Sequence, residues 1–458
     1  MMKKQNTIIT YGIILTFLIV TMFVPTAQAK QNTVDKNNYA FLLKNPNQLN
    51  KFLKELNPEK NNLKVKIIEE IGLVYIENYD EVYNSLNKIL INNMNIDNYI
   101  NEEGVLPDYE ITLNQSKTIE KGLSNQLKNQ VKEILPLSSP DLSPYNWYLS
   151  STTNNFSSYS ISKGKDTKIA LIDSGIESSH PLLANNINLE RAKNYTSKDV
   201  KNLYDDTGHG TSVASIITSI APETTIVPYK VLNEQNGHSI WVLEAIIDAV
   251  NDGNDILNLS LGTLNSQKNY NEQLLMKAYE LAVKYALNNN VLIISSSGNQ
   301  GNDLDQLKKQ GQFYLPGHID DVINVSSNTK IDTLSSYSNY GKAIDFSAPG
   351  GDMDKINDFT ELIITAFPID RSNTFVDQLM GIPEGYTLTY GTSFAAPQVS
   401  ATAALIISKY NTNREEINIK KIVKYMKMGA VDIGSKGFDT SFGYGKINAY
   451  ESLILMDK

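Results

Sequence analysis

Cysteine is absent from the 458 residues of this chain. Its absence excludes disulfide bonds, a thiol nucleophile and thiolate metal sites, and it says little about the compartment. No run of basic residues occurs either, and the net charge of −9 argues against a nucleic acid as partner. The residues that are present, 41% hydrophobic and 20% charged, have the composition of an ordinary globular protein. The length is more than one domain usually needs, so we expect two or three folded units.

The N-terminus has the order of features that is typical of an export signal. Two lysines precede an apolar run from Ile8 to Val24, and Ala27-Gln28-Ala29 follows with small outer residues. We therefore predict a secretory signal peptide over residues 1–29. The alternative is an uncleaved membrane anchor, because the apolar run is nearly long enough to span a bilayer. With the signal removed, we expect a soluble, secreted, extracellular product without stable membrane insertion.

Residues 30–98 are rich in Lys, Asn and Glu. Strand patterns at Leu63–Ile68 and Leu73–Ile76, followed by helical spacing over Asp80–Ile91, predict a small α+β unit. An independent N-terminal binding module is the alternative. Residues 99–140 are predicted to be a connector and a candidate maturation region, with an amphipathic helix over Thr118–Leu135.

From residue 141 to residue 458, apolar strand patterns alternate with helical patterns. Because these strands are continuously apolar, they are expected to be buried on both faces. We therefore predict an α/β fold in which helices cover both faces of a mostly parallel sheet. Functional sites in such sheets form beyond the carboxyl ends of the strands. The predicted strands are Lys168–Ile172, Ile226–Leu232, Asp255–Leu261, Val291–Ser296 and Val322–Ser326, and the predicted helices are Gly210–Ile220, Ser239–Asn251, Asn271–Asn289 and Thr392–Tyr410.

Three short motifs supply a carboxylate, an imidazole and a hydroxyl in chain order. Asp173 ends an apolar strand, where a carboxylate can accept a hydrogen bond from a histidine ring. His209 lies between two glycines at the start of a small-residue helix, and Ser393 opens a second such helix. Each residue alone has an ordinary interpretation as a turn carboxylate, a structural histidine or a helix N-cap. Together, in the order Asp, His, Ser, they predict the triad of a serine endopeptidase.

A fourth motif, Ser297-Gly298-Asn299, follows a strand that is predicted to be buried. The Asn299 side chain there could donate a hydrogen bond to the oxyanion of a tetrahedral intermediate, together with the Ser393 backbone N–H. The alternative is a loop asparagine beside turn glycines. The expected mechanism is acyl transfer to water, with His209 as general base and Asp173 orienting its ring.

These motifs resemble those of the subtilisin family (subtilases) of serine proteases from about Tyr145 to Ile454. The resemblance also covers His180-Pro181, Ala348-Pro349-Gly350 and Gly391-Thr392-Ser393. It implies a subtilisin-like fold, in which neighbouring strands hold an extended substrate. The N-terminal unit resembles the inhibitory propeptide of the family, which assists folding and is then cut away. The residues implied are Asp173, His209 and Ser393 for the triad, Asn299 for the oxyanion, and Gly237, Ser260, Leu261, Gly262 and Gly298 for substrate binding.

One departure from the family concerns calcium. The tight calcium site of the family uses an aspartate directly after the His-Pro pair and a loop within the helix that follows the catalytic histidine. Here that position is Leu182, and the helical pattern continues to Pro222 without a loop. Because a hard cation needs several oxygen ligands, we predict that this site is lost and that no cofactor is required. Weaker calcium binding elsewhere stays open.

Two further segments near the predicted site differ from the family pattern. Residues 351–388 form an insertion at the expected rim of the active site, either a surface decoration or a gate that selects one substrate. Asp303 and Asp305 lie near the expected first specificity pocket, where an acid would suit a basic residue before the scissile bond. The alternative is that both are solvated loop acids.

The lost calcium loop and the insertion favour a dedicated processing enzyme over a general degradative extracellular subtilase. Within the family, the chain resembles the proteases that remove the leader peptide from lantibiotic precursors, typically by cutting after Arg. The expected partners are therefore a precursor peptide and the chain's own propeptide. No arginine lies in residues 30–167, so the chain cannot cut off its own propeptide after Arg. An inactive subtilase that serves as a binding protein is a third hypothesis, and the intact triad argues against it.

Overall fold

The computed structural model describes residues 38–77, 86, 98–105, 142–234, 237–353, 359–413 and 418–457. The predicted signal peptide and the helix predicted over residues 118–135 lie outside these ranges. Most of the helix predicted over residues 80–91 lies outside them as well. Within these ranges, no helix combines the length with the apolar character that crossing a membrane requires.

The described N-terminal residues form a four-stranded antiparallel sheet in the order β2-β3-β1-β4, with one helix, α1, packed on it. The two predicted strands of this unit are confirmed as β2 and β3. The sheet continues past residue 98, where the unit was predicted to end, because β4 pairs with β1. The bounds are β1 Asn38–Leu43, α1 Leu49–Leu56, β2 Val65–Ile68, β3 Leu73–Glu77 and β4 Ile100–Val105.

Seven parallel strands form the main sheet, in the order β13-β12-β10-β8-β5-β7-β6. All five strands predicted for this domain are present close to their predicted bounds. The sequence patterns missed β6 and β13, which lie at the two edges and are short. The bounds are β5 Lys168–Asp173, β6 Lys193–Asn194, β7 Thr225–Lys230, β8 Ile256–Leu259, β10 Leu292–Ser296, β12 Ile323–Asn328 and β13 Phe346–Pro349.

Helices cover both faces of this sheet, as predicted. Successive side chains of a strand point to opposite faces. In β5, Ile169 and Leu171 join one core cluster, whereas Ala170 and Ile172 join another on the opposite face. The helices are α2 Trp147–Thr153, α3 His209–Ile220, α4 Ser239–Asn251, α5 Tyr270–Asn288, α6 Leu304–Lys309, α7 Phe375–Met380, α8 Thr392–Asn413, α9 Ile419–Gly429 and α10 Ala449–Ile454.

Two antiparallel strand pairs lie outside the main sheet. The strand β9 (Thr263–Ser266) pairs with β11 (Gln312–Leu315). The strand β14 (Ile363–Ala366) pairs with β15 (Tyr386–Thr389), so the insertion over residues 351–388 contains a hairpin and the helix α7. The strand β9 follows the carboxyl end of β8, and β14 follows the carboxyl end of β13. Both pairs are therefore connected to the carboxyl edge of the main sheet.

The N-terminal sheet packs against the helices α4 and α5. Leu73 and Tyr75 of β3 belong to the same buried cluster as the apolar residues of these two helices. At the contact, Tyr75 Oη donates a hydrogen bond to Glu244 Oε1 over 2.8 Å. Burial raises the pKa of the Glu244 carboxyl. The N-terminal unit is thus held by an apolar face with a partly buried polar contact at its edge.

Candidate active site

Asp173 and His209 are brought into direct contact at the carboxyl edge of the main sheet. Asp173 is the last residue of β5 and is completely buried, and His209 is the first residue of α3. The distance between His209 Nδ1 and Asp173 Oδ1 is 2.7 Å. The Ser174 backbone N–H also donates to the same carboxylate oxygen over 2.7 Å. The carboxylate therefore has a fixed orientation and determines which ring nitrogen of His209 carries a proton.

The surroundings of His209 leave one ring nitrogen available. Its Nε2 atom is buried and has no hydrogen-bond partner among the described residues. Burial alone would lower the pKa of His209, but the charge and hydrogen bond of Asp173 outweigh burial. The charge of Asp205 adds to this effect, so the pKa lies above its usual value. Above this raised pKa, Nε2 is thus positioned to accept a proton.

A second buried carboxylate, Asp205, joins the two elements that carry this pair. Its Oδ1 atom accepts hydrogen bonds from Ser174 Oγ (2.8 Å) and the Gly208 N–H (2.9 Å), and its Oδ2 atom accepts from the Thr211 N–H (2.8 Å). Ser174 Oγ in turn accepts a bond from the Gly210 N–H over 2.9 Å. Asp205 thereby ties the end of β5 to the first turn of α3. Its negative charge also lies where a helix N-terminus favours an anion.

Ser393 lies in the first turn of α8 and is 6% exposed. Its Oγ atom donates to the Ser260 carbonyl oxygen over 3.0 Å, and Ser260 Oγ donates to the Ser393 carbonyl oxygen over 2.7 Å. The side chain of the next residue, Phe394, packs against the His209 ring with centroids 5.6 Å apart. The first turn of α8 therefore packs against His209, and the Ser393 hydroxyl is directed to the Ser260 carbonyl oxygen.

Asn299 follows β10 and is oriented by Thr392, the residue before Ser393. Its Oδ1 atom accepts bonds from the Thr392 N–H (2.9 Å) and from Thr392 Oγ1 (2.8 Å). Thr392 Oγ1 also accepts a bond from the Gly298 N–H over 3.2 Å. Because the carboxamide oxygen is engaged in this way, the NH2 group of Asn299 is the end that faces away from Thr392.

The five residues implied for substrate binding divide into two groups. The first group follows two neighbouring strands of the main sheet: Ser260-Leu261-Gly262 comes after β8, and Gly298 comes after β10. Both segments form hydrogen bonds with the start of α8. Gly237 forms an isolated antiparallel bridge with Leu232, beyond the end of β7. The first group therefore borders Ser393, whereas Gly237 lies on the segment that follows β7 at the same edge of the sheet.

The insertion packs directly beside His209. The Ala366 carbonyl oxygen accepts a bond from Ser212 Oγ over 2.9 Å, and the Ala366 N–H donates to Ser215 Oγ over 3.0 Å. The Phe367 ring lies against Gly208, because a Cβ atom added to Gly208 would lie only 2.2 Å from Phe367 Cε2. His180 supports the far end of the hairpin, with Nε2 2.8 Å from the Gly385 carbonyl oxygen. These contacts place the insertion at the rim of the site.

The two acids considered for the first specificity pocket form local structure. Asp303 Oδ1 accepts hydrogen bonds from the backbone N–H groups of Asp305 and Gln306, so it caps the start of α6. Asp305 Oδ2 accepts a bond from the Lys342 N–H over 3.3 Å. Both carboxylates thus accept hydrogen bonds from backbone N–H groups and stabilise the local conformation of the loop and the helix start.

Two structural features bear on the predicted loss of the family's calcium site. Leu182 offers an exposed apolar side chain there, and α3 continues to Ile220 without an inserted loop. No group of three or more acidic or histidine side chains that could hold a metal ion occurs among the described residues. Leu182 supplies no oxygen ligand, so the loss of the family's tight calcium site stays a prediction that rests on this residue and the uninterrupted helix.

Sequence reasoning missed two residues that shape the site. Asp205 precedes His209 by a short polar turn, and a carboxylate close to a helix start was the available signal. Thr392 stands within the Gly391-Thr392-Ser393 motif, but its contacts with Asn299 join segments that are distant in the chain. Neither contact follows from local spacing.

Comparison with known proteins identifies the family to which this fold and these motifs correspond. A family model described as the subtilase family matches residues 164–445. The epidermin leader peptide-processing serine protease of Staphylococcus epidermidis is 28% identical over 352 residues, which cover 69% of this chain and 75% of that protein.

Solved structures agree with this result. A lanthipeptide protease is 40% identical, with a TM-score of 0.66 and coverage of 71% of this chain and 97% of that one. The epidermin leader peptide-processing protease of Staphylococcus aureus is 26% identical, with a TM-score of 0.71 and coverage of 92% and 99%. The family match spans more than half of the sequence, and this chain belongs to the subtilase family of serine proteases.

Proposed function

We propose that the chain hydrolyses peptide bonds through a triad of Asp173, His209 and Ser393. The observation that carries this proposal is the 2.7 Å contact between His209 and a buried carboxylate, with the first turn of α8, which contains Ser393, packed against the His209 ring. The free Nε2 atom of His209 is the base that the serine needs. In the reaction, the Ser393 hydroxyl leaves the Ser260 carbonyl oxygen and donates to this base.

In the first step, Ser393 Oγ attacks the scissile carbonyl carbon while His209 Nε2 takes its proton. Asp173 holds the ring and stabilises the imidazolium that forms. The Asn299 NH2 group and the Ser393 N–H stabilise the oxyanion, and loss of one such donor costs about 2.7–4 kcal/mol in subtilisin, a member of the same family. His209 then protonates the leaving amine, and water releases the acyl group by the reverse sequence of proton transfers.

The pH dependence of kcat/KM follows from the pKa of His209. His209 acts as a base only when neutral, and Asp173 and Asp205, the two carboxylates that act on it, raise its pKa. Activity should therefore fall as the pH drops through a value above the usual 6.5. A profile of kcat/KM against pH would show this acid limb. An acid limb well below pH 6.5 would contradict the geometry around the ring.

We further propose that the N-terminal unit is an inhibitory propeptide that is removed after export. Its apolar face packs against α4 and α5, where it buries Glu244. A contact of this kind suits a unit that assists folding of the domain beneath it. The predicted signal peptide supports export to the extracellular side.

The substrate that best fits the relatives is a lantibiotic precursor, from which the enzyme would remove the leader. Support comes from the 40% identity to a lanthipeptide protease over 97% of that chain, and from the insertion beside His209. The test is incubation of the mature enzyme with a modified precursor peptide and with casein, with products read by mass spectrometry. A single cut between leader and core supports leader processing. Cleavage of casein at many sites, without preference for the precursor, would favour a degradative subtilase.

Calcium removal should have little effect on this protein. The position of the family's tight site holds Leu182, so no strong ligand stabilises the folded state there. We expect EDTA to leave the thermal unfolding midpoint within about 2 °C of its value in calcium, which for a domain of this size corresponds to a change on the order of 1 kcal/mol in the free energy of unfolding. A calcium-dependent rise of 10 °C or more would show a cation site elsewhere.

A further inference from the structure

Two segments that each contain a glycine border the nucleophile. Ser260-Leu261-Gly262 contacts Ser393 through the Ser260 carbonyl oxygen. Ser297-Gly298-Asn299 contacts the residue before it through the Gly298 N–H. The two segments continue the parallel neighbours β8 and β10, so they run side by side away from the sheet. The space between them, here called the slot, opens beside Ser393.

The ring of Tyr314 lies in this slot. A Cβ on Gly262 would come within 2.5 Å of Tyr314 Cε1, and a Cβ on Gly298 would come within 2.7 Å of Tyr314 Cζ. The ring is therefore in contact with both backbones at the only two positions in these segments that lack side chains. Both glycines are needed for the ring to fit, and Gly298 also has a φ of +100°.

The ring is held from two sides. The strand β11 that carries it pairs with β9, which places Tyr314 opposite Leu264. The Gln300 side chain lies next to the ring, because a Cβ on Gly298 would come within 2.8 Å of Gln300 Oε1 as well as 2.7 Å of Tyr314 Cζ. Gln300 is itself bonded to Asn339 Nδ2 over 3.2 Å. A ring fixed in this way is part of the wall of the slot and does not depend on substrate for its position.

We propose that Tyr314 limits the depth of the slot and thereby determines which side chain is accepted directly before the scissile bond. This inference rests on the proposed function, because it places that side chain beside the carbonyl attacked by Ser393. The polar groups around Gly298 are the Tyr314 phenol and the carboxamides of Gln300 and Asn339, none of which is a carboxylate. The two nearby acids, Asp303 and Asp305, are engaged in backbone hydrogen bonds elsewhere.

The accepted side chain is therefore short and carries no positive charge. A long basic side chain would need both the volume that the ring occupies and a carboxylate to pair with, since a buried cation without a partner is costly. An aromatic side chain would need the same volume. This specificity differs from cleavage after Arg, which the resemblance to leader-processing proteases implied.

The test compares peptides that differ only in the residue before the cut, with Ala, Asn, Glu, Arg or Phe at that position. For the mature wild-type enzyme, we expect kcat/KM for the Arg and Phe peptides to be at least about tenfold below that for the best of the other three. Tyr314→Gly should raise kcat/KM for the Phe peptide by about tenfold or more, because the ring's volume becomes free. The matched control is Phe313→Ala, since Phe313 points to the other side of β11 against His318 and should leave the profile unchanged.

Two results would overturn the inference: a wild-type preference for Arg or Phe, or a Tyr314→Gly profile equal to that of the wild type. Labelling by a fluorophosphonate separates this failure from failure of the proposed function. A labelled enzyme with the wrong profile contradicts only the role of Tyr314, whereas a folded protein that neither reacts nor cleaves any peptide contradicts the triad. If Tyr314→Gly does not fold, the wild-type profile and the milder Tyr314→Ala variant still decide the question.

Discussion

Replacement of Ser393 by alanine should lower kcat for peptide hydrolysis by about 10⁶-fold, the loss observed when the serine of subtilisin is removed. In the proposed mechanism this side chain supplies the nucleophile, and its loss leaves the neutral His209 ring without a hydroxyl to activate. Folding should change little, because the substitution removes one hydrogen bond, to the Ser260 carbonyl, with a net contribution of about 1 kcal/mol. Hydrolysis of a chromogenic peptide and thermal unfolding would measure both quantities. If the chain removes its own propeptide, this variant should also accumulate uncut.

Ser408→Ala is the matched control, because Ser408 is a buried serine near the other end of the same helix. It should retain wild-type kcat. A Ser393→Ala protein with more than about 1% of wild-type kcat would show that another group performs the attack. Normal propeptide removal in that variant would refute self-cleavage and point to a second protease.

Replacement of Asp173 by asparagine should lower kcat by about 10⁴-fold, as the equivalent change does in other triad proteases. An asparagine NH2 group next to His209 Nδ1 would favour the tautomer that carries its proton on Nε2, which then cannot accept the serine proton. The change also removes the charge and hydrogen bond that raise the pKa of His209. The acid limb of the remaining activity should therefore move to lower pH, an effect that simple loss of packing would not produce.

Asp248→Asn is the control for this prediction. Asp248 also accepts hydrogen bonds, from Lys193 and Tyr195, but it lies on the surface of α4 away from the site. Its replacement should leave both kcat and the pH profile unchanged. If Asp173→Asn lost less than about tenfold in kcat, or kept the wild-type acid limb, Asp173 would not be the residue that orients His209.

Much of the fold could be predicted because its strongest signals are local. Ile169–Ile172 and Leu292–Ile294 are continuously apolar runs within strands that are buried on both faces, and most residues of the helix Ser239–Asn251 are apolar. The strands at the edges and in the hairpins carry weaker patterns. Lys193–Asn194 has only two residues, and Gln312–Leu315 is mostly half-exposed, so their pairing depends on distant partners.

The site was predictable to the extent that each residue stands at the end of an apolar strand or the start of a small-residue helix. The sequence placed Asp173, His209 and Ser393 at such positions, and the fold brings these elements to one edge of the sheet. The contacts of Asp205 and Tyr314 depend on turns and strand pairs between distant segments. No periodicity in a single sequence reports such contacts.

Reaction of the mature protein with a fluorophosphonate, followed by mass spectrometry of its peptides, decides whether the three residues form one site. We expect one covalent adduct, on the peptide that contains Ser393, and a rate of labelling that falls with protonation of His209. A folded protein that stays unmodified, or that carries its adduct on a different serine, would contradict the proposal that Asp173, His209 and Ser393 act together.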